Sequence, residues 1–255
     1  APATPAPVAA PTAGGSDFPL VLTVATSSTM RAGDADSLAM SGGLIVIGNP
    51  YYSNYRGLVS IHRASDGVLL KQFFGSGSDD YLGIAVAIDG DTVVAGAWDY
   101  PNEGFAKVYR TSDGGDTWTT AATLTASDGA KNDYFGRSVA VAGDTVFVGA
   151  SGDDVYGGTN SGSVYVFRTT DGGATYDEVQ TLRASSPQDY AYFGVALAAD
   201  GDTLVIGAYS DNSYKGAVYV FRKSGSTYAQ VARLTGSGVA EDDEFGTSVG
   251  VSGDT

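Results

Sequence analysis

Aromatic and acidic side chains gather in four glycine-bounded stretches of this chain, and most of its candidate chemistry lies there. Tyr51, Tyr52 and Tyr55 form the first cluster, Trp98, Asp99, Tyr100 and Glu103 the second, Asp153, Asp154 and Tyr156 the third, and Tyr209, Asp211 and Tyr214 the fourth. Asp79, Asp80, Asp128, Asp133, Asp189, Asp242 and Asp243 make a second acidic series between them. Such a mixture suits contact with a protein or a glycan: rings offer broad area at low entropic cost, and carboxylates accept hydrogen bonds or attract cations.

Catalysis has little to work with. The single histidine, His62, falls in an apolar strand pattern where the equivalent segments carry Tyr109, Phe167 and Phe221, so it reads as a packing residue. No Ser-His-Asp set can be assembled around it. Carboxylate pairs are abundant because acidic loops are abundant, and none is singled out as an acid of raised pKa. No catalytic residue is assigned, and the chain reads as a non-enzyme. With no cysteine, disulfides, thiolate metal sites and cysteine nucleophiles drop out. A net charge of -15 argues against nucleic acid, whose phosphates demand clustered Lys and Arg. No apolar run approaches the roughly 20 residues that span a bilayer, so no membrane insertion is expected.

The elements that must position these clusters come from a repeat. In 133–168, Ser138 to Val141 and Thr145 to Val148 are β-prone runs around Ala142-Gly143, followed by a polar loop and Val164 to Phe167. A two-residue connection with glycine second marks a primed hairpin turn, because its left-handed backbone matches the strand twist. Motif glycines recur at Gly83, Gly136, Gly194 and Gly246, each with another glycine seven residues on. Third strands are expected at 57–63, 104–110, 162–168 and 216–222, and fourth strands at 69–74, 120–124, 178–182 and 230–234, with no helix anywhere. Four antiparallel strands per roughly 55 residues are the signature of propeller blades.

Four complete repeats are therefore expected at about 34–79, 80–132, 133–188 and 189–242, with a partial fifth at 243–255. Residues 1–17, rich in Pro, Ala and Thr, read as an extended linker whose threonines are candidate sites for O-linked sugar. The 18–255 stretch reads as the folded unit. Leu20 to Thr26 reads as a strand belonging to no complete repeat, available to close the ring. Apolar second strands should pack on both faces, with Phe135, Phe193 and Phe245 filling the gaps between blades and the adjacent glycines allowing close backbone approach. Asp80, Asp133 and Asp243 read as turn caps, and Arg63, Arg110, Arg168 and Arg222 as structural residues at strand ends.

Asp133-Tyr-Phe-Gly136, Gly143-Asp-Thr145, Val148-Gly-Ala150 and Gly162-Ser-Val-Tyr-Val-Phe167 resemble the FG-GAP repeat of integrin α-subunit propellers and of many surface proteins. Leu82 replaces the motif Phe in the second copy, and Asn49 replaces the Ala of the Gly-Ala pair in the first. The resemblance implies an all-β propeller, often of seven blades, so the four repeats would belong to a larger ring. It also implies an extracellular or cell-surface setting and a role in adhesion. Thr111 to Trp118 and Thr169 to Tyr176 resemble the Asp-box hairpins of sialidases, a fold device remote from catalysis.

In integrin-like blades calcium is held between first and second strands, but those connections are two-residue turns in this chain, too short to wrap the cation. The remaining candidate for calcium is the carboxylate loop 151–162, with Asp153, Asp154 and Asn160. The expected function is a binding or adhesion module whose acidic, tyrosine-rich loop face contacts protein or glycan. Two alternatives stand beside it: a structural building block that self-assembles into an appendage or coat, and a sialidase-like glycosidase.

Overall fold

The computed structural model describes residues 36–98, 102–155 and 158–253. The expected linker and the strand expected at 20–26 lie outside the described residues. Unit one contains β1 (Ser37–Ser41), β2 (Leu44–Asn49), β3 (Leu58–Arg63) and β4 (Leu69–Phe74), and unit two β5 (Val86–Asp89), β6 (Thr92–Ala97), β7 (Phe105–Arg110) and β8 (Thr119–Leu124). Unit three contains β9 (Phe135–Ala142), β10 (Thr145–Ala150), β11 (Ser163–Arg168) and β12 (Asp177–Leu182), and unit four β13 (Ala196–Asp200), β14 (Thr203–Ala208), β15 (Ala217–Ser224) and β16 (Thr227–Leu234). Each unit is one antiparallel four-stranded sheet with its strands in sequence order. The result is an all-β chain of four blade-like sheets.

Burial follows each strand's place in its sheet. β2, β6 and β10 are buried at every residue, because a middle strand meets a neighbouring sheet on either face. β4 and β16 lie further out and are mostly exposed or half-buried. Three apolar clusters hold the sheets together, and each straddles two neighbours. Val46 and Ile61 meet Leu82 and Val93 between units one and two, Val94 and Val108 meet Phe135 and Val148 between two and three, and Phe147 and Val166 meet Phe193 and Ile206 between three and four. Phe135 and Phe193 are fully buried, each contributing about 1.5–3 kcal/mol by removal from water.

Glycine fixes how closely the sheets approach. A Cβ on Gly96 of β6 would lie far inside van der Waals contact with the Gly136 carbonyl of the next unit. The pairs Gly48 with Gly83, Gly149 with Gly194 and Gly207 with Gly246 repeat that contact. Ser37 and Ser138 seal two of these junctions, donating their hydroxyls to the Gly83 and Gly194 carbonyls at 2.8 and 2.6 Å.

At the opposite end, the hairpin turns of neighbouring units are tied together. The Gly143 N–H donates to the Asp89 carboxylate at 2.7 Å and the Gly253 N–H to Asp200 at 2.6 Å. Arg110 packs against Gly173 and reaches Tyr176 at 3.5 Å, and Arg168 donates to the Ser226 carbonyl at 2.9 Å, so both span to the next unit. Arg63 instead pairs with Asp66 inside its own turn. In the turn after β7, Asp113 accepts from the Thr117 N–H and hydroxyl and from Thr111, which holds its carboxyl down at about 2. Asp171 does the same with Thr175 and Thr169.

Two features depart from the expected pattern. The pairing of third with fourth strands slips at Ile61/His62, Val108/Tyr109, Val166/Phe167 and Val220/Phe221, a bulge at one place in every unit. Four-residue helical turns also occur, at α1 (Tyr52–Tyr55) and α2 (Asp211–Tyr214). Their inner residues have positive φ, so no apolar helical periodicity announces them. His62 is buried, with its ring nitrogens on Gly67 O and Ser60 Oγ, and burial lowers its pKa.

The Gly96→Ala variant should therefore lose about 1–3 kcal/mol, the usual cost of overpacking. Gly250→Ala, with nothing within 4 Å of the added carbon, should stay near wild type. Denaturant titration checks this; equal midpoints for the two variants would remove the glycine junction as the determinant of stacking.

Candidate loop-face binding site

The loops between second and third strands and those leading into the next unit emerge at one end and are laced by backbone hydrogen bonds. Tyr81 N–H donates to Tyr55 O at 2.8 Å, Tyr190 to Thr159 O at 2.7 Å, Tyr192 to Asn160 O at 3.1 Å, and Glu244 to Tyr214 O at 2.8 Å. Within each returning loop an aspartate caps the backbone, as its sequence position implies. Asp80 accepts from the Ser76 and Gly77 N–H groups, Asp133 from Ala130 at 2.7 Å and Asp243 from Ala240 at 2.7 Å.

On this frame the aromatic side chains form a row. Tyr51 lies 6.4 Å and Tyr55 5.2 Å from Tyr81, Tyr81 is 5.6 Å from Trp98, and Trp98 is 5.5 Å from Tyr134, centroid to centroid. Further on, Tyr192 stacks on Tyr209 at 5.4 Å, with Tyr214 6.3 Å beyond. Arg137 stands between the two groups, 5.4 Å over Trp98 and 5.9 Å over Tyr134, and its charge also reaches Tyr192 and Tyr209. Burial raises the pKa of Tyr81, Tyr192 and Tyr209 above the ordinary phenol value.

The row includes three residues outside the loop clusters singled out in the sequence. Tyr81, Tyr134 and Tyr192 each directly precede the Leu or Phe of the glycine motif. All three hold positive φ, 53°, 57° and 53°, as does Glu244 at 51° in the equivalent place. A left-handed backbone costs a residue with a side chain roughly 1–2 kcal/mol. It is stabilised by a tight turn in which each carbonyl accepts from the residue three on: Ile84, Arg137, Val195 and Thr247.

Other expected site residues are placed differently. Tyr51, Tyr55 and Tyr214 are exposed, whereas Tyr52 turns against Phe74 at 5.6 Å. Asp211 is fully buried, accepting from Tyr219 at 2.5 Å and from Arg233 at 2.9 Å, and so anchors α2 from within. Asp99, Tyr100 and Tyr156 lie outside the described residues.

Asp153 accepts from Ser163 and Tyr165, and Asp154 from the Asn160 N–H at 2.7 Å, so these groups are engaged in shaping their loop. Among the described residues no group of three or more His, Cys, Asp or Glu is arranged to hold a metal ion. The carboxylates instead flank a pocket of about 390 Å³ with Asp128, Asp133, Lys131 and Arg183. Burial, reinforced by Asp153, Asp154 and Asp128, pushes the Asp133 carboxyl up to about 6.

Because the folded-state pKa of Asp133 is raised, the folded chain binds a proton there that the unfolded chain does not, between about pH 4 and 6. This contribution to stability is present below about pH 4 and lost as pH rises through 6. In Asp133→Asn it should vanish, leaving a flatter stability profile over that range. Denaturant midpoints at stepped pH test this; parallel wild-type and variant profiles would contradict it.

Comparison with known proteins adds a family match. Residues 118–167 and 176–221 match the FG-GAP repeat. Each match runs from the fourth strand of one sheet to the third strand of the next, across a glycine junction. No curated protein matches the chain. Among solved structures, the crystal structure of Saccharomyces cerevisiae Sqt1 aligns at 13% identity over 79% of this chain, with a TM-score of 0.49. The alignment spans 47% of that protein's length.

Proposed function

We propose that this chain, which carries FG-GAP repeats and folds as propeller blades, is an extracellular or cell-surface binding module that contacts a protein or glycan through its loop face. One observation carries this reading: the row of rings from Tyr51 to Tyr214, displayed on loops locked together by backbone hydrogen bonds. Partly exposed Tyr and Trp on a rigid frame supply contact area without a large ordering cost. Acidic rim residues, among them Asp79, Asp189 and Asp242, steer partners of complementary charge and discourage polyanions.

The second reading, end-to-end assembly, draws on the outer face of unit four. Val205, Val218, Val220, Leu234 and Phe245 line a depression of about 640 Å³ there, and Phe245 already pairs with Gly216 as Phe135 pairs with Gly104. A further blade of a larger ring, or a second copy, would cover it. Sedimentation across a concentration series separates assembly from a monomeric binder.

Screening the chain against immobilised extracellular proteins and glycans tests the main reading. Trp98→Ala and Tyr209→Ala should each weaken a captured partner at least about tenfold, as central aromatic contacts do. Retention of full binding by both variants would overturn the assignment of the face.

A further inference from the structure

Among the described residues, the centre of the loop face holds a cation without a counterion. Arg56, Arg183 and Arg233, the other arginines at this end, each reach a carbonyl or carboxylate: Gly75 O, Asp128 at 3.7 Å and Asp211 at 2.9 Å. Arg137 differs. Among the described residues its guanidinium makes no hydrogen bond and no ion pair, and it lies over two ring faces, Trp98 at 5.4 Å and Tyr134 at 5.9 Å. It follows the motif Phe135-Gly136, where the other units carry Ile84, Val195 and Thr247, so the repeat does not require it. Two ring faces restrict where this half-buried guanidinium can lie, and its planar fork of donors matches a carboxylate bidentately.

We propose that Arg137 receives a carboxylate side chain, an Asp or Glu, from a protein partner whose surrounding contact surface is basic. The proposal rests on the loop face being the contact surface and adds the chemistry of what meets its centre. Two features favour protein over an acidic glycan. Tyr, Trp and Arg gathered at the middle of a polar rim are the composition of a protein–protein hot spot. A chain of net charge -15 repels a polyanion, whereas a basic protein surface bearing one acid matches both the acidic rim and the cationic centre.

The test pans a random peptide library displayed on phage against the full chain, then measures the recovered peptides as free molecules. Peptides competing at this face should carry one Asp or Glu among Lys or Arg. Converting that acid to its amide should weaken binding to wild type at least tenfold, with little further effect on Arg137→Gln. Arg137→Lys, which keeps the charge and loses the fork, should recover only part of the affinity. If Arg137→Gln does not fold, as judged by its melting curve, the amide substitution on wild type alone decides the matter. Peptides that lose binding with Trp98→Ala yet bind Arg137→Gln as wild type would overturn this inference while leaving the loop face intact. Peptides indifferent to both variants would overturn both readings. Failure to recover any acid-bearing peptide, or recovery of glycan binding alone, counts against the protein carboxylate.

Discussion

The structure depends on backbone meeting backbone between sheets. At each junction the carbonyl of a motif glycine lies against a glycine of the preceding second strand, leaving no room for a side chain on either partner. That contact sets the distance at which the apolar clusters close, and with it the positions of Leu82, Phe135 and Phe193. A sheet displaced outward by one methyl group would open voids along its whole face, and protein interiors tolerate such voids poorly.

The same junction builds the loop face. The motif glycine lies in a tight turn that holds a tyrosine in a left-handed conformation, and the N–H groups of Tyr81 and Tyr192 are bonded to the facing loop. Docking one sheet on the next therefore presents a ring at the end of the stack as a consequence of packing. Units two, three and four present Tyr81, Tyr134 and Tyr192 in this way, while the next motif presents Glu244. The local strain persists because the surrounding turn and loop contacts over-determine it. Display and stability thus share one set of hydrogen bonds.

Much of this was legible in the sequence because repetition amplifies weak signals. Four sheets, their order and the turn glycines follow from a motif that recurs in register, and β4 falls where the turn after the third strand places it, at Leu69–Phe74. The Asp80, Asp133 and Asp243 caps were also readable, since a short acceptor three residues before a motif glycine has few other uses. The aromatic row was half visible: Tyr51, Tyr55, Trp98, Tyr209 and Tyr214 stood out as loop residues. Tyr81, Tyr134 and Tyr192 did not, because a residue beside a glycine motif reads as part of the fold. Arg137 left no periodic signal at all, being unique to one unit. The left-handed turns α1 and α2 and the repeated bulge were equally hidden, since no residue in them demands that geometry alone. Asp211 illustrates the reverse, a loop acid that looked available until Tyr219 and Arg233 drew it inside.

The most direct test of the central claim, that sheet docking locks the loops into one rigid face, is amide hydrogen exchange at Tyr81, Tyr190, Tyr192 and Glu244. These N–H groups bond across from one loop to the next and belong to no strand. The account predicts protection approaching that of the central strand β10. Exchange at the rate of an unstructured loop would contradict it.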